Sequence, residues 1–236
     1  MKSKRIYVFL LIAIVLLILV LTQGRSTNFN EKYTLVEGDS SSPVMEYKFS
    51  AKQVKGLKDS SLTMFTEPTI YAESKFETLK NNYKAVLDLY HRFPDAVSLS
   101  YYYVEDTEVL FKNNKYISLR FTSYAFTGGA HGKTEIEHWI VDRNSGEVLD
   151  FNDVFVKDSD KELKSLNDKY LQDVFQDQDI KDILFTEDYE VSRDIYLTRK
   201  GIVFQYDQYE IAAYSHGSIE VLVPYNDLSP YLKIKP

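Results

Sequence analysis

The side chains of this sequence that change charge near neutral pH are four histidines, and two of them, His131 and His216, each stand directly before a glycine, outside any helical pattern. Paired with an aspartate, these two could build a metal site or an acid–base pair. His91 and His138 complete the set, and no spacing draws the four together. There is no His-Glu-x-x-His for zinc hydrolysis and no Gly-x-Ser-x-Gly nucleophile elbow. The absence of cysteine excludes disulfides, thiolate metal centres, a cysteine nucleophile and a lipid-anchored cysteine. The acidic stretch from Asp173 to Asp182 lacks the glycine and the terminal glutamate of an EF-hand, so it reads as a solvated face. Among 35 acids no carboxylate pair of the glycosidase kind stands out. Spacing alone therefore names no catalytic residue, no metal and no cofactor.

The densest local signal is Thr127-Gly128-Gly129-Ala130-His131-Gly132-Lys133-Thr134. Its Gly-Lys-Thr end looks like a phosphate-binding loop, but Thr127 stands where that loop needs its first glycine, and the residues that follow alternate as a strand. Nucleotide binding is set aside on both counts. Three glycines in five residues require positive φ or very close packing between two strands. His131 in their midst is a ligand, a general base or an ordinary loop residue. With Tyr 19 and Phe 14 the chain is rich in rings that suit strands and can also serve as rigid contacts. Tyr101 to Tyr103 and Tyr206, Tyr209 and Tyr214 are such rings, although strand packing accounts for them equally well. The candidate binding residues are Gly128, Gly129, His131 and Gly132, with Tyr124 before them and Tyr209, Tyr214 and His216 in a later segment.

These residues need elements to position them. From about Ala72 to Tyr90, Phe76, Leu79, Tyr83, Val86, Leu87 and Tyr90 recur at helical spacing, and Pro94 closes the helix. Between Lys115 and Tyr124 the period switches to two, with Ile117, Leu119 and Phe121 on one face. Val109 to Phe111 and the Asn113-Asn114 turn make this a hairpin. Ile136, His138 and Ile140 alternate through Glu135 to Val141, and Asn144-Ser145-Gly146 turns the chain. Ser159 and Glu162 form a capping box ahead of a stripe of Leu163, Leu166, Tyr170 and Val174. Ile195 to Thr198 and Ile202 to Tyr206 pair across Arg199-Lys200-Gly201, where glycine is expected in the left-handed conformation, and Ser218 to Pro224 adds a last strand. The fold class is α+β, antiparallel sheets with two main helices packed on one face and one N-terminal transmembrane or signal helix. There is no internal repeat.

Lys2, Lys4 and Arg5 precede an uncharged run from Ile6 to Leu21, so the positive end stays inside and the rest of the chain is expected outside the cytoplasm. The run spans roughly 24 Å as a helix, on the border between an anchor and a cleaved signal. The expectation is a single-pass anchor through residues 6–22, or a secreted or periplasmic protein if the signal is removed. Residues 1–25 are thus anchor or signal, 26–43 a polar linker, and 44–134 and 135–236 two α+β subdomains. Without Lys2, Lys4, Arg5 and Arg25 the formal charge moves from −7 to −11. An acidic surface disfavours nucleic acid and anionic lipid and draws in basic partners.

Three segments together resemble a known bacterial arrangement. Ile117 to Gly132, ISLRFTSYAFTGGAHG, is similar to the end of DUF4163, where a strand enters a YTGGAHG-type turn. Asn144 to Phe155, NSGEVLDFNDVF, resembles the opening of DUF3298, and Gly201 to Leu228, with its Tyr-Glu-Ile and Val-Pro-Tyr runs, resembles that domain's close. The resemblance covers most of the chain from about Met45 onward. It implies an extracytoplasmic setting, as in a membrane-bound anti-sigma factor whose outer domain is a receptor for lysozyme, or in a peptidoglycan deacetylase that carries the module before its catalytic domain. Five residues before the apolar run leave no room for a sigma-factor segment, and the sequence ends soon after Tyr225 with none for a following deacetylase. The resulting expectation is a membrane-tethered, non-enzymatic binding module of the cell envelope that recognises a lysozyme-like protein or peptidoglycan. The alternative is a small envelope glycan hydrolase or deacetylase that uses His131 as base.

Overall fold

A computed structural model describes residues 28–36, 42–175 and 179–236. The apolar run of residues 6–21 and the proposed anchor lie outside them. Among the described residues no helix is long and apolar enough to cross a membrane.

The fold is α+β and is built on two sheets. Strands β1 (Asn28–Val36), β2 (Val44–Lys52), β3 (Ser100–Lys112), β4 (Tyr116–Phe126), β5 (Lys133–Asp142) and β6 (Val148–Leu149) lie side by side in sequence order. Strands β7 (Ile195–Leu197), β8 (Gly201–Tyr206) and β9 (Ile219–Pro224) form a smaller antiparallel sheet. The larger sheet is mixed, a correction to the expected antiparallel pattern: β2 and β3 run parallel, with Tyr47 opposite Tyr103. A parallel pair needs a long crossover, and here it carries the short helix α1 (Thr63–Thr66) and the main helix α2 (Pro68–Arg92). Pro68 opens α2, where a missing N–H is harmless, and Phe93 and Pro94 end it. Its stripe of Leu79, Tyr83 and Leu87 is buried against Met45, Tyr47, Phe49 and Ala51, the alternate residues of β2.

One further expectation is corrected. Residues 28–36, part of the polar linker expected from sequence, pair antiparallel with β2 along their whole length. Phe29, Tyr33 and Leu35 alternate with polar residues, and Tyr33 stacks between Tyr47 and Phe76 with ring centroids at 5.7 and 4.3 Å. Aromatic packing from two other elements makes a strand of a segment with little signal of its own. Strand β5 pairs with β4 from Tyr116–Asp142 to Ala125–Lys133, so the larger sheet draws strands from both sides of residue 134.

The hairpin of β3 and β4 turns where Asn113 Oδ1 accepts from the backbone N–H groups of Lys115 and Tyr116. Asp142 does the same for Asn144 and Ser145, and Gly146 takes φ +77°. In the C-terminal half, α3 (Phe151–Val154) starts at a capping box of Asp150 and Asp153. The expected box at Ser159 is replaced: its hydroxyl donates to the Val156 carbonyl, just before α4 (Asp160–Phe175). The buried line of α4 is Leu163, Asn167 and Leu171, whereas Val174, the end of the expected stripe, is exposed. Asn167 tolerates burial because its amide donates to the Leu163 carbonyl and its oxygen accepts from Tyr206 Oη at 3.1 Å. After α5 (Ile180–Ile183) the chain enters β7. Gly201 is not left-handed as expected. A Cβ there would lie 2.0 Å from the Val223 carbonyl oxygen, so glycine is required for close approach of β8 and β9. The last helix, α6 (Tyr225–Leu228), follows β9. The smaller sheet and α4 enclose a second core, which reaches Tyr116 and Ile140 of the larger sheet. Leu197 N–H donates across to the buried Ser118 hydroxyl, joining the two sheets.

Candidate functional site

The glycine-rich turn connects β4 to β5 and sits where the two sheets meet. Gly128 and Gly129 have φ of +98° and +96°, values L side chains rarely adopt. Gly132 has a different reason. A Cβ there would stand 2.5 Å from Cε2, Cζ and Oη of Tyr124, so only glycine lets that ring lie across the start of β5. His131 stacks on Tyr214 with centroids 4.2 Å apart at 24°. The Tyr214 hydroxyl donates to the Gly132 carbonyl at 3.3 Å, and His131 Nδ1, 3.1 Å from the same oxygen, is placed to donate to it as well. Tyr209 extends the row, its ring 5.4 Å from that of Tyr214. Tyr209 is 56% exposed and has φ +68°, strained for a bulky residue.

Five of the eight candidate residues thus form one aromatic ledge: Tyr124, His131, Gly132, Tyr209 and Tyr214. The other three lie elsewhere. Gly128 and Gly129 line a separate depression with Val97, Ser98 and Leu89 beside the end of α2. His216 meets Phe175 of α4 edge-on at 5.8 Å. Among the described residues neither His131 nor His216 bonds to a carboxylate.

Beside the ledge lies a pocket of about 550 Å³ that sequence reasoning missed, lined by Glu137 and His138 of β5, Glu190 and Asp194 ahead of β7, Gln205 of β8, and Asp207 and Glu210. The turn from Asp207 to Glu210 joins the two features, giving Tyr209 to the ledge and two acids to the pocket. Glu137, Asp207 and Glu210 are exposed at the pocket's rim, yet partial desolvation pushes their carboxyls above their ordinary range, and repulsion from Asp194, Asp207 and Glu135 adds to it. His138 stacks on Tyr196 at 4.5 Å and its Nδ1 lies 2.9 Å from Asp194 Oδ2. One clue was legible in sequence, a histidine in an apolar alternation between Ile136 and Ile140.

Residues 152–226 match the family model described as "Protein of unknown function (DUF3298)", and residues 39–134 match the model described as "Deacetylase PdaC". The second match covers the segment whose sequence resembles DUF4163. No curated protein matches the chain. A solved structure of a DUF3298 family member from Bacteroides fragilis aligns with TM-score 0.76 at 20% identity, over 89% of this chain and 94% of that one. A DUF3298 family protein from Pseudomonas aeruginosa aligns with TM-score 0.62 at 17% identity, over 88% and 93%. At such identities the likeness is one of fold. The two domains suggest an envelope-related module. The chain therefore carries a DUF3298 domain in its C-terminal part, behind an N-terminal region similar to the PdaC deacetylase model.

Proposed function

We propose that this chain is an extracytoplasmic binding module of the bacterial envelope, tethered by its N-terminal apolar segment, and that it recognises a basic, lysozyme-like protein. The observation that carries this reading is the aromatic ledge, with Tyr209 exposed on a strained turn directly beside an acidic pocket. Tyrosines lose little conformational entropy on contact and dominate many interfaces, and backbone strain persists where function holds it. The net charge of −7 favours a basic partner and speeds its encounter, while it disfavours nucleic acid.

A second reading, cell-wall glycan as the ligand, is favoured by the match to the deacetylase model across residues 39–134. A catalytic His131 is less well supported. A general base needs a partner that orients it, and the contacts of His131 are the face of Tyr214 and a carbonyl.

Calorimetric titration of the chain against hen-type lysozyme and against purified peptidoglycan, at low and high salt, tests the proposal. Saturable lysozyme binding that weakens with salt is expected, and Tyr209→Ala and Tyr214→Ala should each cost about 2 kcal/mol, roughly a 30-fold loss. Binding to peptidoglycan alone establishes the second reading, and binding to neither removes both.

A further inference from the structure

The pocket beside the ledge holds an imbalance of hydrogen-bonding groups. The side chain of His138 is fully buried, and its Nδ1 lies 2.9 Å from Asp194 Oδ2, so Nδ1–H donates there and in the neutral ring Nε2 is an acceptor. Among the described residues that Nε2 has no partner. Gln205, 1% exposed, donates its amide to the Tyr206 carbonyl, and its Oε1 likewise has none. The same pocket is lined by the acids Glu137, Glu190, Asp194, Asp207 and Glu210. The one basic side chain in the lining besides His138, Arg193, is engaged elsewhere: its guanidinium pairs with Asp160 at 2.6 Å and covers the ring of Phe151 at 4.2 Å. With the His138 ring neutral, the two partnerless buried atoms of the lining are thus both acceptors, and acidic side chains line the pocket beside them.

We propose that this pocket is a binding site for a single organic cation, an alkylammonium or alkylguanidinium group. Such a group is donor-only, so it satisfies the orphaned acceptors of His138 and Gln205 while it neutralises the surrounding carboxylates. A bare metal ion fits less well, since among the described residues no three His, Asp or Glu side chains converge to hold one. The proposal stands on the pocket alone and is independent of what the ledge binds.

The test uses the full chain with ¹⁵N-labelled histidine, titrated by NMR and calorimetry with argininamide, cadaverine, neutral N-ethylacetamide and calcium chloride. Saturable one-to-one binding of at least one of the two organic cations is expected, with a shift of the His138 Nε2 signal and no response to N-ethylacetamide. Argininamide alone identifies a guanidinium site, cadaverine alone an ammonium site. Asp207→Asn and Glu210→Gln should each weaken binding roughly tenfold, or ~1.4 kcal/mol, while each variant melts no lower than the parent. An unmoved His138 signal overturns the proposal, as does cation binding that both variants leave unchanged, or calcium that moves the same signal at lower concentration than either organic cation.

Discussion

Tyr209 and Gly132 stand at opposite ends of the same ledge and make opposite demands on side-chain size. At Tyr209 the backbone is left-handed, a conformation that costs a non-glycine residue roughly 1–2 kcal/mol, and the exposed ring recovers little of that by burial. Tyr209→Gly is therefore expected to stabilise the fold by about 1 kcal/mol in urea titration while it weakens ligand binding; a loss of stability would show that the ring is a packing residue. At Gly132 a methyl group collides with the ring of Tyr124. Gly132→Ala should cost ~1–3 kcal/mol, and Tyr124→Ala in the same chain should restore most of it if that contact is the cause. Gly129 differs again, since nothing lies within 4 Å of a Cβ there and only its φ resists substitution.

At the scale of elements, two buried polar groups hold helices to sheets. Glu105 of β3 is 3% exposed, accepts from Tyr47 Oη at 2.8 Å and pairs with Lys75 of α2 at 2.8 Å. This contact fixes α2 over the larger sheet. Lys75→Ala leaves an unpaired buried carboxylate and should destabilise by about 3 kcal/mol in chemical denaturation, whereas Lys75→Ala with Glu105→Gln should cost less than the two single changes summed. Asn167 plays the matching part for α4 by accepting from Tyr206. Asn167→Leu leaves the Tyr206 O–H without its acceptor, while the Tyr206 oxygen still accepts from the Ser192 N–H, and a loss of ~1–3 kcal/mol is the expected reading in the same experiment.

For the molecule as a whole, the acidic pocket makes stability depend on pH in an identifiable direction. Glu137, Asp207 and Glu210 have raised folded-state pKa values, so in the window between the unfolded and folded values the folded chain binds more protons than the unfolded one. Their contribution is unfavourable at neutral pH and is relieved as pH falls through the raised values. Desolvation is the largest cause, Asp194, Glu135 and Asp207 add to it by opposing ionisation, and Lys133 favours ionisation of Asp207. Asp207→Asn with Glu137→Gln should therefore raise the melting temperature at pH 7, and the gain should fade below about pH 4. A gain that persists unchanged into acid would place its origin outside these carboxyls.

The sequence alone determined much of the local architecture. Helix α2, the β3–β4 hairpin and the three closing strands are visible because their apolar residues recur at 3.6 or 2, periods that need only neighbours in the chain. The DUF3298 assignment rests on motifs of the same local kind. What escaped it depended on distant partners. Strand β1 exists because Tyr47 and Phe76 receive Tyr33; Asn167 is buried because Tyr206 reaches it; and Gly201 answers to Val223 across the sheet rather than to its own turn. The ledge was half legible, since tyrosines and a glycine-histidine turn invite attention. Only the packing of one sheet against the other could decide that His131 meets Tyr214 rather than His216, and that Glu137, Asp194 and Asp207, far apart in sequence, share one pocket. Side-chain period reports which face is buried, and tertiary structure alone decides what that face is buried against.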